Sequence, residues 1–489
     1  MSVGRNAAYN LAGFGIPLVL FIVTIPIYIG LIGPARYGVL AIVWLVLGLG
    51  GLLDLGLGRA ANQRVASLKN DTAESRRAAL GTALATNVLI GAVGALIIGG
   101  VAYYVFAHAM KMPDELRTEA VPLVSFMALS LPIVTTIGIL SGALMGREKF
   151  FVVNRITIIN GALFQLLPLA IAHFVGPELM PLVVAALCAR VAALFLLLRE
   201  CRREFGRGAL LLWERVQFVS MLKYGGWVSA TGLIGLMLVF SDRLLIGTVL
   251  GAVAVTIYAV PLDATRRIAV LADSLANALF PRLALANKEE SREFSAYAVG
   301  ALYAITTPLV AGFIVVAEPV MRIWLGDDIG GQSAPLAQIL AIAGWANVFA
   351  KVPYARLQAQ NRPHRVAQIM LAELPLYILA LWFALGWFGP AGAAWVYLAR
   401  TAGDTVTMFL VADGRLQNGA ALLATFMVLL GMTIGLGVSK PLGALTAFAL
   451  AVPVTLVTLV ASWTMTPPPM RAWLKGLATQ IRSGKEKGA

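Results

Sequence analysis

The chain is a succession of apolar runs about 20 residues long, separated by short polar stretches rich in glycine, proline and basic residues. Each run is long enough to cross a hydrocarbon layer roughly 30 Å thick as an α-helix. In hydrocarbon every backbone N–H and C=O must be satisfied within the segment itself, and a helix does this. The pattern predicts fourteen helical spans, at approximately 8–31, 38–58, 79–107, 119–145, 151–174, 178–199, 219–248, 252–281, 296–317, 335–358, 367–388, 390–412, 419–437 and 441–463. Only Gly251 divides the seventh span from the eighth in an otherwise nearly continuous apolar stretch.

Composition supports a membrane bundle. Charged residues make up 13% of the chain, against roughly 25% in soluble proteins. A net charge of +14 would suggest nucleic acid in a soluble protein. Here the basic residues sit between apolar runs and follow membrane orientation, so no nucleic-acid partner is expected. With the N-terminus inside, 24 Lys and Arg residues fall in inside segments and 5 outside (Arg36, Lys111, Arg117, Arg322 and Lys440). An incorrect span count would mix the two sides, so the positive-inside rule supports fourteen spans and cytoplasmic ends. Arg5 precedes the first run without a small-residue cleavage site after it, which reads as a retained span.

A weak repeat organises the spans. Ile29-Gly30, Gly33 and Asp54 are echoed by Ile246-Gly247, Gly251 and Asp273, and Tyr37 by Tyr258, with offsets of 217 to 221 residues. Both copies start inside, so the repeats are parallel about an axis along the membrane normal. The expected fold class is an all-α polytopic membrane protein. It has two six-helix lobes around a central cavity and two extra C-terminal helices. The lobes are 1–200 and 218–412, joined by a basic cytoplasmic linker at 201–217; spans thirteen and fourteen occupy 413–465. In the tail at 466–489, Met470, Trp473, Leu474, Leu477 and Ile481 recur at helical spacing among basic residues. That suits a short helix anchored at anionic membrane lipids.

Some charges lie inside the spans. A charged side chain at the bilayer centre costs at least about 2.5–3.5 kcal/mol, so it faces the bundle interior or a wet cavity. Arg190, Arg243, Arg266, Arg267, Lys351 and Arg400 are the cationic candidates for binding an anionic headgroup. Asp54, Asp242, Asp263, Asp273, Glu373 and Asp404 are candidates for charge balance or proton coupling. Structural pairing competes as an explanation, for example Asp263 with Arg266 or Arg267, and Arg400 with Asp404 at i,i+4. Adjacent arginines at 266 and 267 cannot both be neutralised by one carboxylate. Tyr9, Asn10, Trp227, Asn277 and Trp345 are candidate sugar contacts, each with packing as the competing reading. Cationic subsites suit a diphosphate, because the planar guanidinium fork binds two oxygens at once.

Catalytic signals are lacking. His108, His173 and His364 are scattered, no phosphate-cradling loop is present, and Cys188 and Cys201 give neither a disulfide framework nor metal spacing. No cofactor, metal or catalytic residue is expected, and the external segments near 108–118 and 318–334 are short for a catalytic domain.

The opening Tyr9-Asn10-Leu11 with Pro17, Pro26 and Tyr28, then Leu31-Ile32-Gly33-Pro34 and Tyr37-Gly38, resembles Wzx-type oligosaccharide flippases. Asp54-Leu55-Gly56-Leu57-Gly58, Ser241-Asp242-Arg243-Leu244-Leu245-Ile246-Gly247, Tyr258 and Leu279-Phe280-Pro281-Arg282-Leu283 fit the same pattern. The resemblance implies a polysaccharide-transporter branch of the superfamily that includes multidrug antiporters and lipid II flippases. It further implies alternating access and an undecaprenyl-diphosphate-linked oligosaccharide, moved from the inner to the outer leaflet of the bacterial cytoplasmic membrane. O-antigen or exopolysaccharide assembly would follow, with polymerase or chain-length machinery as candidate partners. A drug or cation antiporter of the same fold is the nearest alternative, and a polytopic glycan polymerase or ligase a more distant one.

Overall fold

The computed structural model describes residues 3–48, 56–68, 71–206, 214, 232, 234–267, 288–360, 362–414, 416, 418–438, 442–465 and 471. Among them every regular element is helical. The elements are α1 (Val3–Ile32), α2 (Pro34–Gly48), α3 (Leu57–Ser67), α4 (Ala73–Tyr104), α5 (Asp114–Ala120), α6 (Leu123–Gly146), α7 (Phe150–Phe174) and α8 (Leu179–Phe205). There follow α9 (234–249), α10 (Ala252–Arg266), α11 (Lys288–Leu325), α12 (Asp327–Ala359), α13 (Pro363–Asp413), α14 (Gly419–Val438) and α15 (Ala444–Met465). Nine segments among the described residues are long and apolar enough to cross a membrane, and 17–32 and 34–48 are shorter apolar helices. The chain is a polytopic all-α membrane protein.

Backbone chemistry places the breaks. Gly251 adopts φ +99° between α9 and α10, a conformation L side chains avoid. A Cβ there would also meet the Lys111 carbonyl oxygen at 2.9 Å. The turn is stitched by Lys111 N–H to Gly247 O (3.1 Å) and Ala252 N–H to Lys111 O (3.2 Å). α13 is helical throughout except at Gly389, whose φ 59° and ψ −145° divide it just before Pro390. That is where spans eleven and twelve were separated by sequence. The eight span prolines Pro17, Pro26, Pro132, Pro168, Pro261, Pro308, Pro353 and Pro375 all lie inside helices.

The chain divides into two compact units, Ala8–Thr256 and Ile257–Ala489, the latter joined by Met1–Ala7. In the N-terminal unit the core gathers Leu57, Ala61 and Val65 of α3 with Leu80 (α4), Leu140 and Leu144 (α6), Ile156 (α7) and Leu197 (α8). α3 lies in what the hydropathy pattern treats as a polar connection. It is a short amphipathic helix whose small residues approach α6 so closely that a Cβ on Gly142 would meet Gly58 O at 2.0 Å. α5 is likewise a helix inside a predicted loop. From it Glu119 receives Nε and Nη2 of Arg36 on α2 (3.0 and 2.5 Å) and sits 3.4 Å from the Leu179 amide of α8.

In the C-terminal unit α11 and α12 are the most enclosed helices: 78% and 83% of their apolar windows are buried, against 6% for α15. α15 presents Leu445, Val457 and Val460 outward. Lipid tails are as apolar as leucine, so such faces suit a bilayer, and helix contacts rest on close packing.

One device recurs at one end of each unit. In the N-terminal unit Arg147, just past α6, pairs with Glu204 of α8 (2.9 Å), which also receives Lys149 (3.2 Å). Arg77 in the first turns of α4 donates to the carbonyl of Phe205, the last residue of α8. In the C-terminal unit Arg356 in the last turn of α12 pairs with Asp413, the last residue of α13. There Arg292 near the start of α11 donates to the Asp413 carbonyl (3.0 Å). The residues correspond at offsets of 209 to 215, so the internal repeat is written in ionic contacts as well as in glycines.

Candidate functional site

The C-terminal unit assembles five of the predicted charged residues. Arg400 lies one helical turn after Tyr397 on the second half of α13, and its guanidinium sits 5.3 Å from the Tyr397 ring centroid and 4.9 Å from that of Tyr377 on the first half. The Gly389 break lets one continuous helical segment fold back to supply both rings. Arg266 at the end of α10 approaches the same Tyr397, with Nε 3.4 Å from the phenol oxygen and the guanidinium 5.6 Å from the ring. Tyr377 and Tyr397 are buried.

Beside this arginine shelf, the Glu373 and Asp404 carboxyls lie near each other, and both feel the charge of Arg400. Glu373 and Tyr377 share one helix face at i,i+4, as do Arg400 and Asp404. Lys351 of α12 contributes a further positive field at Asp404. The cluster therefore combines cationic side chains with two neighbouring carboxyls.

The N-terminal unit has a related but simpler arrangement. The guanidinium of Arg190, on α8, lies 4.4 Å from the Phe164 ring of α7. Phe164 neighbours Trp44 of α2 (6.2 Å between centroids), which packs edge-on to Tyr28 (4.9 Å) and Tyr37 (6.0 Å). Tyr28 is pinned by its hydroxyl to the Gln165 carbonyl (2.7 Å), and Gln165 donates to Thr24 (2.7 Å). Neither Arg190 Nε nor Trp44 Nε1 has a hydrogen-bond acceptor among the described residues. Arg190 makes no ion pair among them either. Arg190 and Arg400 are 210 residues apart, matching the repeat.

The remaining predicted residues are placed differently. Asp242 and Arg243 are both buried, and Arg243 donates to the Ala41 carbonyl of α2 (2.8 Å), which makes it a tie between helices. Asp263 on α10 and Arg267, just past its end, are half-buried. Trp345 is a core residue, with its indole N–H on Thr307 (3.0 Å) and its ring on Phe349 (5.0 Å). Asp54, Asp273, Trp227 and Asn277, the side chains of Tyr9 and Asn10, and the interfacial tail helix lie outside the described residues. Sequence reasoning missed Phe164, Trp44, Tyr377 and Tyr397. An aromatic one turn from a span arginine, as in Tyr397 and Arg400, is the signal that could have found the last of them.

A family model described as "Polysaccharide biosynthesis protein" matches residues 30–329. A Shigella flexneri protein named "Putative O-antigen transporter" is 25% identical over 415 residues, covering 83% of this chain and 97% of its own length. Among solved structures, lipid II flippase MurJ in an inward closed conformation superposes with a TM-score of 0.70 at 12% identity, over 94% of this chain and 98% of its own. An inward-facing multidrug resistance MATE family transporter of the MOP superfamily gives 0.66 at 15% identity, over 85% and 99%. At these identities the two structures share the fold. Together with the family match they place the chain among membrane transporters, not enzymes.

Proposed function

We propose that this chain, which belongs to the polysaccharide biosynthesis protein family, is a flippase for lipid-linked oligosaccharides. It moves undecaprenyl-diphosphate-linked repeat units from the inner to the outer leaflet of a bacterial cytoplasmic membrane, for O-antigen or exopolysaccharide assembly. The observation that carries this reading is the arginine on an aromatic shelf in each unit, Arg190 on Phe164 and Arg400 between Tyr377 and Tyr397. Guanidinium groups offer forked donors to phosphate oxygens. The aromatic faces beside them suit the apolar faces of sugars. Without such groups, taking a diphosphate into hydrocarbon costs on the order of tens of kcal/mol.

Transport proceeds by exposing these residues alternately to the two faces of the membrane, with both chain ends cytoplasmic as the 24-to-5 distribution of basic residues supports. The Glu373–Asp404 pair supplies the coupling. Protonation removes a negative charge beside Arg400 and frees it for phosphate; proton loss returns the carboxylate as a competitor and releases the substrate. Membrane potential adds to the drive, at about 2.3 kcal/mol per 100 mV for each negative charge leaving a negative-inside cell. Product released at the outer leaflet would meet polymerase and chain-length machinery there.

The direct test uses proteoliposomes containing the full chain and a lipid-diphosphate oligosaccharide with a labelled sugar. Accessibility of the label to an external lectin should rise faster than in protein-free liposomes. Cationic dye efflux in pump-deficient cells, with no oligosaccharide translocation, would identify a drug antiporter of the same fold instead.

A further inference from the structure

The ionic device at the end of the C-terminal unit differs from its counterpart in one respect with chemical consequences. A cavity of about 600 Å³ opens there, lined by Arg292, Arg356, Gln360, Arg362, Asp413 and Gly414. Three guanidinium groups face one carboxylate, so the lining carries a net charge of +2. Asp413 and Arg356 are both buried and engage each other, while Arg292 bridges to Asp413 at 3.8 Å. The side chain of Arg362 makes no hydrogen bond or ion pair among the described residues, yet lines the cavity. The acids nearest in sequence, Glu289, Glu290 and Glu293, are exposed and do not line it.

The N-terminal counterpart also has three cations to one acid. There the third cation, Lys149, is spent on Glu204 itself at 3.2 Å. In the C-terminal unit the corresponding cation, at the junction of α12 and α13, is left over.

We propose that this cavity binds a phosphate group, with Arg292 and Arg362 as its primary donors and Gln360 as a neutral one. Its volume falls within the range of small-ligand sites. It lies where the start of α11, the end of α12 and both ends of α13 converge. At that level in a membrane, basic pockets between helices meet lipid headgroups. Arginine reaches such depth with its aliphatic stem among the helices and its fork in the polar layer. The phosphate can come from an anionic lipid headgroup or from a soluble phosphate. This proposal does not depend on the transport reading, because binding is measured without any oligosaccharide.

The test uses the full chain in neutral detergent. One arm titrates phosphatidylglycerol against phosphatidylcholine and counts bound lipid by native mass spectrometry. The other titrates inorganic pyrophosphate against sodium chloride of equal ionic strength and follows the unfolding temperature. The expected result is saturable binding in at least one arm, weakened about tenfold in Arg362→Gln, the loss of one charge-assisted hydrogen bond. Lys149→Gln, the matching change in the other unit, should leave it unaltered. Response to phosphatidylglycerol alone identifies the headgroup as the source; response to both identifies phosphate in either setting. Arg292→Gln serves if Arg362→Gln does not fold. Absence of saturable binding by wild-type protein, an equal response to chloride, or equal binding by the variants would overturn the proposal.

Discussion

Each unit places an arginine on an aromatic shelf, Arg190 and Arg400, but surrounds it differently. Arg190 rests on Phe164 with no carboxylate engaged among the described residues. Arg400 stands beside Glu373 and Asp404, two carboxyls that lie close enough to feel each other and its charge. The same fold thus carries one cationic site without a carboxyl engaged among the described residues and one beside two of them. The ends of the units differ in parallel: Arg147–Glu204 is partly solvated, with side chains 26% and 19% exposed, whereas Arg356–Asp413 is sealed at 2% and 1%. The two units share these contacts and differ in burial and carboxylate content.

The sharpest way to break the comparison is through the end pairs. Asp413→Asn leaves Arg356 buried without its countercharge and should lower stability by about 3–5 kcal/mol. Glu204→Gln should cost about 1 kcal/mol or less, because water already solvates that pair. Unfolding midpoints in detergent decide between them, and equal losses would remove the distinction. Next in size, Arg400→Gln should slow oligosaccharide translocation about 10–100-fold, as one charge-assisted contact is lost. Arg190→Gln should slow it about tenfold, since Arg190 lacks the link to the carboxyl pair. Arg190→Lys should fall between wild type and Arg190→Gln, keeping the charge and losing the planar stack. Asp404→Asn should flatten the pH profile of translocation, whereas Arg190 variants should keep the wild-type profile at reduced amplitude. The smallest effect concerns the helix breaks. Gly251→Ala should cost more than about 1 kcal/mol, because positive φ and the Lys111 carbonyl both oppose a Cβ. Gly389→Ala, in open space, should cost only the backbone part.

Much of this was legible in the sequence, for identifiable reasons. The requirement that a span satisfy its own backbone makes apolar length a strong signal, and the breaks at Gly251 and Gly389-Pro390 followed from residues that cannot continue a helix. α3 was hidden because Gly58, Asn62 and Arg64 dilute its apolar face, although Leu57, Ala61 and Val65 lie in the core. The end pairs were hidden for another reason. Arg147, Arg292 and Arg362 sit at loop edges and read as orientation signals, while Glu204 lies 57 residues from its partner. Local periodicity carries no information about such a contact. Of the deep charges, sequence reasoning found Arg190, Arg266, Arg400, Glu373, Asp404 and Lys351 because charge in a span is costly wherever it stands. It could not say that five of them share one unit and one cluster, since that arrangement depends on α13 folding back at Gly389. Trp345 shows the opposite limit: its indole finds Thr307 across 38 residues, which only tertiary structure reveals.

The account rests on the C-terminal site being the one that changes charge during transport. Proteoliposomes carrying a lipid-diphosphate oligosaccharide and an internal pH dye, with a proton gradient imposed in each direction, test this directly. Wild-type protein should translocate at a rate set by the gradient and move protons with the substrate. The Glu373→Gln/Asp404→Asn double variant should move no protons and translocate at a rate indifferent to the gradient. A double variant that responds to the gradient as wild type does would contradict the assignment.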